Sequence, residues 1–214
     1  MTTISAPHTT ALTTELRYLA LGDSYTIGEA VDEAGRWPMQ LARLLRMEGV
    51  LLGDPRIIAT TGWTTDELDA AITAAEPLGQ HDFVSLLIGV NNQYRGRDVE
   101  EYRTQFAALL WRAIGFAGNR PDRVLVLSIP DWGVTPFGAK SGRDVAQIAR
   151  ELDAYNLAAC EVCAQRGVAF VRVAAAFCLC GFPLEPEIFG VRAAVDQVAR
   201  AGLRGDVQRD GAGL

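Results

Sequence analysis

A chain of 214 residues, 49% hydrophobic and 21% charged, has the length of one domain with a sizeable core and the balance of a folded protein rather than a disordered one. Its net charge of −6 and pI near 5.0, with arginines scattered rather than clustered, exclude the electrostatic footprint of a nucleic-acid binder. No stretch approaches the ~18 apolar residues of a membrane span, and the opening residues lack the basic start and apolar run of a signal peptide. The expectation is a cytoplasmic protein that acts on a small neutral or polar molecule. Nothing in the sequence specifies an oligomeric state.

Residues 1–16, rich in threonine, are expected to form a flexible tail. The run Arg17 to Leu21 then predicts a buried strand, closed by Gly22-Asp23-Ser24. Amphipathic spacing predicts a helix over Trp37 to Glu48. A short strand over Arg56 to Ala59 leads into the turn Thr60-Thr61-Gly62-Trp63-Thr64 and a helix over Thr65 to Ala75. A strand over Phe83 to Ile88 ends in Gly89-Val90-Asn91-Asn92, and a helix over Val99 to Phe116 follows. The strand Arg123 to Ile129 runs into Pro130-Asp131-Trp132-Gly133-Val134, before a helix over Val145 to Gln165 and a last strand over Val168 to Val173.

Most of these strands are continuous apolar runs with little alternation, as expected of strands covered on both faces. Strict alternation of strand and helix gives right-handed crossovers and a three-layer α/β/α sandwich around a parallel five-stranded sheet. In such folds the chemistry sits at the carboxyl ends of the strands. The loops carrying Ser24, Gly62 and Asn91 all fall there. The segment 172–214 reads differently, opening on an alanine run and closing on a glycine-rich end.

Four cysteines are present, Cys160 and Cys163 at C-x-x-C spacing and Cys178 and Cys180 at C-x-C. Two such pairs can supply four thiolates to zinc. The first pair, however, lies in a strongly helical pattern where positions i and i+3 share a face, so packing is the preferred reading. No metal or cofactor is expected.

Gly-Asp-Ser alone is weak, because those residues also make turns and helix caps. The ordered set changes its meaning. GDSYTIGEA at 22–30, the Gly62 turn, and GVNN at 89–92 each follow a predicted strand, and together they resemble the blocks of the SGNH, or GDSL, ester hydrolases. Ser128 to Val134 resembles that family's fourth strand-end loop, so the resemblance runs from about Arg17 to Val171.

The resemblance implies that Ser24 is the nucleophile and that the Ser24 amide, the Gly62 amide and the Asn91 side chain form the oxyanion hole, with Asp23 and Gly89 supporting their loops. Glycine allows close backbone approach, and an asparagine amide is a neutral donor that can be aimed at developing charge. It also implies a small ester or acetylated substrate. Trp132, Trp63 and Tyr94 are candidate walls of a substrate pocket, although loop aromatics more often simply pack. Where the family usually has aspartate after the asparagine, this chain has Asn92, and a modest effect on loop geometry is expected. A flavodoxin-like nucleotide binder would share the topology, but GDSYTIG is neither a P-loop nor a dinucleotide fingerprint.

The family's last block, Asp-x-x-His near the C-terminus, is missing. There the histidine takes the serine proton and the aspartate orients it. The only histidines are His8 and His81. His81 precedes the strand that Asn91 follows, so it should lie at the opposite end of the sheet, roughly 20 Å or more away at ~3.3 Å per residue. His8 is in the tail, and Asp196, with a carboxylate pKa near ~3.9, is a weak acceptor. The general base is therefore unassigned. Two explanations compete: a non-catalytic relative that binds ligand in the same pocket, or a slip of reading frame near Phe170 to Arg172, in which case the alternative frame should encode Asp-x-x-His.

Overall fold

The computed structural model describes residues 15–173. In chain order its elements are β1 (Tyr18–Gly22), α1 (Ser24–Ile27), α2 (Trp37–Met47), β2 (Arg56–Ala59), α3 (Thr65–Ala75), β3 (Phe83–Leu87), α4 (Val90–Tyr94), α5 (Val99–Phe116), β4 (Val124–Leu127), α6 (Pro136–Lys140), α7 (Val145–Arg166) and β5 (Ala169–Val171). Single 3₁₀ turns occupy Glu33–Gly35, Pro121–Arg123 and Trp132–Val134. His8, Cys178, Cys180, Asp196 and most of the segment 172–214 lie outside the described residues.

The sheet is parallel throughout, with spatial order β2-β1-β3-β4-β5. Its α/β architecture is the one expected. Strands β1, β3 and β4 are buried over their whole lengths, as continuous apolar runs require, and the outer strands β2 and β5 are half-buried for the most part. The one polar side chain in the centre of β3, Ser85, is satisfied by Tyr18 across the β1–β3 seam, with 2.8 Å between the hydroxyl oxygens. Apolar runs outlast the ladder: Ile88 and Ile129 are buried just past the strand ends.

The four long helices stand where the 3.6-residue period places them, each end within a residue of expectation. Local chemistry sets their starts. Thr64 and Glu67 form a capping box before α3, Asp98 caps α5 through the amides of Glu100 and Glu101, and Asp144 caps α7. The short helices α1, α4 and α6 have no counterpart among the predicted elements, because four or five residues carry no readable period.

The connections decide where a site can form. From β1 the chain moves outward to β2 through α2, then returns across β1 to β3 and continues to β4 and β5. With right-handed crossovers this reversal puts α2 on one face of the sheet and α3, α5 and α7 on the other. Helix α5 packs against both α3 and α7. The switch point is the gap between β1 and β3, where the loops diverge and leave a crevice. Ser24 follows β1 and Asn91 follows β3, so they stand on its two sides.

Candidate active site

Asp23 leaves β1 with extended backbone and caps α1, its Oδ1 accepting the Tyr25 amide at 3.1 Å. Ser24 is the first residue of α1, and its carbonyl accepts the amides of Gly28 and Glu29, both at 3.1 Å. Its side chain is more enclosed than a strand-end hydroxyl suggests: Ser24 is only 8% exposed, and that exposure opens into a cleft. Glycine precedes Asp23 for steric reasons. A Cβ on Gly22 would run into the side chain of Thr26 and the carbonyl of Leu87, where β1 and β3 close on each other.

The carboxyl of Asp23 is wholly buried. Its Oδ2 meets no partner at hydrogen-bond geometry, and the nearby Gly89 amide favours the ionised form. Burial therefore dominates and pushes its pKa up to about 7, against the opposing pull of the Tyr25 and Gly89 amides.

From β3, Gly89 turns the chain with φ +129°, and a side chain there would meet the Tyr102 ring at 2.6 Å and Ile129 at 2.8 Å. Helix α4 then presents two asparagines with different duties. Asn91 donates through Nδ2 to the Trp63 carbonyl at 2.9 Å, tying its loop to the Gly62 turn. An amide nitrogen carries two N–H groups, so one remains for the cleft that Asn91 lines. Asn92 is fully buried and grips the start of α3: its Oδ1 accepts the Thr65 amide at 3.1 Å and its Nδ2 donates to Thr65 Oγ1 at 2.7 Å. An ionised aspartate could accept the first bond but not donate the second. In this chain the amide does the structural work locally.

Gly62 has φ +88°, and its carbonyl accepts Arg95 Nη2 at 2.7 Å. Arg95 also pairs with Glu67 of the capping box at 3.3 Å. The Gly62 turn is thereby pinned to α3 and to the end of α4. Around Gly62 itself there is open space: a Cβ at this position would find its nearest neighbour, Arg95 Nη2, 3.9 Å away.

These three loops meet on a cleft of about 500 Å³. Ser24, Thr61, Gly62 and Asn91 supply its polar part, Glu29 and Ala30 its lip, and Tyr25, Val90, Tyr94, Trp132 and Phe137 an apolar wall. Ala30 holds φ +60°, an uncommon conformation for a residue with a side chain. Of the three aromatics anticipated as walls, Trp132 and Tyr94 line the cleft, whereas Trp63 packs against the core and contributes its carbonyl. Phe137 and Glu29 carried no sequence signal, since one aromatic in a short helix and one acid in a loop resemble many others.

His81 lies before β3, its amide bonded to the Phe116 carbonyl at 2.7 Å. Tyr18 pairs with Phe83 at one end of the β1–β3 ladder and Gly22 with Leu87 at the other, so His81 and Ser24 flank opposite ends of the sheet. Burial, and then the charges of Arg17 and Arg56, hold its imidazole below the ordinary range. Cys163 is buried in the core, its thiol pushed up to about 12 by burial, and Cys160 is half-buried beside it. Among the described residues no three His, Cys, Asp or Glu side chains are grouped to hold a metal. Nor is any described helix long and apolar enough to cross a membrane.

The family model described as GDSL-like Lipase/Acylhydrolase matches residues 20–190. The chain belongs to the GDSL-like lipase/acylhydrolase family. That match continues past Val171, beyond the last of the strand-end motifs. Solved structures of GDSL-like and SGNH hydrolases share the fold at low identity. The crystal structure of TesA is 18% identical with a TM-score of 0.58, the alignment covering 89% of this chain and 99% of that one. AlinE4, an SGNH-hydrolase family esterase, is 18% identical, covers 91% and 98%, and gives 0.56. A mutant of Axe2, an acetyl-xylooligosaccharide esterase from Geobacillus Stearmophilus, is 19% identical, covers 93% and 97%, and gives 0.56. No curated protein matches the chain.

Proposed function

We propose that this GDSL-family protein is a serine ester hydrolase working by acyl transfer to Ser24, with turnover limited by the want of a histidine base. The observation that supports this most directly is the meeting of Ser24, Gly62 and Asn91 on one cleft at the sheet's switch point. Ser24 Oγ attacks the ester carbonyl carbon as its proton passes to solvent water, which later returns a proton to the departing alkoxide. The carbonyl electrons move onto oxygen, where the amides of Ser24 and Gly62 and the second Asn91 N–H receive the charge. Collapse expels the alcohol, and water then attacks the acyl-serine to release the acid and restore Ser24.

The proton of Ser24 is the weak point. His81 is at the wrong end of the sheet, and no histidine is among the described residues that line the cleft. In serine hydrolases, removing a triad member costs up to ~10⁶ in kcat and leaves ~10³–10⁴ over water from the oxyanion hole and binding. Slow turnover of that order is expected here. The same absence favours a second reading, a relative that binds esters or acetylated ligands without turning them over.

Hydrolysis of p-nitrophenyl acetate by wild type and by Ser24→Ala separates the two. A rate that falls with the substitution supports acyl transfer. Equal rates would remove Ser24 from the chemistry and leave binding alone.

A further inference from the structure

Behind the cleft's apolar wall is a polar assembly that the reaction itself does not use. Trp132 Nε1 donates to Gln93 Oε1 at 2.9 Å, and Gln93 Nε2 donates to Glu151 at 2.6 Å. Glu151 also accepts from Gln147 at 2.7 Å and lies 3.5 Å from Arg143 Nη2. Arg143 Nη1 donates to the Tyr94 carbonyl at 3.2 Å, and its guanidinium carbon sits 5.5 Å from the ring centres of both Tyr94 and Trp132. The two rings meet edge to face at 5.5 Å. One side chain thus touches both aromatics, the main chain under one of them, and the acid that anchors the other through Gln93.

We infer that Arg143 is a positioning residue that sets substrate preference: it locks Tyr94 and Trp132 into one wall, and the locked wall selects esters with a longer apolar acyl group over acetates. The inference rests on the ester reading given above. Arg143 stands behind the wall and does not itself line the cleft. Tyr94, by contrast, is 48% exposed, its ring meeting Trp132, Phe137 and the Arg143 guanidinium. An acyl group of two carbons need not reach this wall. A longer one must, and it then gains only if the Tyr94 ring is already held against the buried Trp132, because ordering one half-exposed side chain on binding costs up to about tenfold in affinity. The planar fork matters as much as the charge. It stacks on rings while donating in two directions, which a lysine ammonium does not do.

The test uses full-length protein carrying Ser24→Ala, so that ester is bound but not consumed through Ser24, with p-nitrophenyl hexanoate and p-nitrophenyl acetate titrated calorimetrically. The parent is expected to prefer hexanoate. Adding Arg143→Ala or Arg143→Lys should weaken hexanoate binding about tenfold, leave acetate within twofold, and leave the melting temperature nearly unchanged. A preference that survives both substitutions overturns the role of Arg143 and leaves the ester reading standing. A collapse of melting temperature in both variants would overturn it too, by making Arg143 a support of the fold. If the Ser24→Ala parent binds neither ester, the ester reading fails and the inference falls with it.

Discussion

Asp23→Asn removes a single ionisable group from the turn that presents Ser24 while keeping its size and the acceptor for the Tyr25 amide. The carboxyl is wholly buried with one oxygen unpartnered, and its pKa rises from 3.8 to about 7. In the unfolded chain it ionises near ~3.9. Between those values the folded state holds a proton that the unfolded state has lost, so stability falls as pH rises. The contribution is fully present below the unfolded pKa and is lost as pH passes through about 7. At ~1.4 kcal/mol per pKa unit, a rise from 3.8 to about 7 corresponds to about 4 kcal/mol, an upper figure because local relaxation lets water reach the carboxylate. Asparagine carries no such dependence. Urea denaturation of both proteins at half-unit steps from pH 4 to 8 is the assay. Asp23→Asn is expected to gain on wild type steadily with pH, by about 2–4 kcal/mol between pH 4 and 8. Stability curves that stay parallel across that range would refute the claim that burial of Asp23 governs the turn.

Two further substitutions probe the loops. Gly89→Ala combines a left-handed φ of +129° with overlap on Tyr102 and Ile129, and should cost about 2–5 kcal/mol in thermal or urea unfolding. Gly62→Ala, with φ +88° but open space, should cost about 1 kcal/mol, and equal losses at the two sites would contradict the packing argument. Asn91→Ala removes one oxyanion donor and the tie to the Trp63 carbonyl. It should lower the Ser24-dependent rate on p-nitrophenyl acetate by ~10²–10³.

The long elements are legible because they obey the two simple periods. Apolar runs such as Phe83 to Leu87 mark strands covered on both faces, and the 3.6-residue pattern of Val99 to Phe116 marks a helix on one face. The helices that build the site, α1, α4 and α6, are not, since at four or five residues they are held by caps and by the loops they meet. Trp63 and Trp132 illustrate the same limit. Both follow strands in loops with glycine and threonine or aspartate nearby, yet one lends a carbonyl to Asn91 and the other walls the cleft.

By itself, the sequence determined the alternation of strand and helix, the serine, glycine and asparagine at three strand ends, and the absence of histidine from the segment where a base was expected. Those features are local, set by residue type and spacing along the chain. Only the tertiary structure decided that Ser24 opens into a cleft, that Asp23 is buried enough to hold its proton near neutrality, and that Arg143 and Glu151 brace an aromatic wall supplied by α4, α6 and the turn at Trp132. Burial and contact depend on which helices cover which strands, and residues about fifty positions apart become neighbours only when the crossovers fold them onto the same end of the sheet.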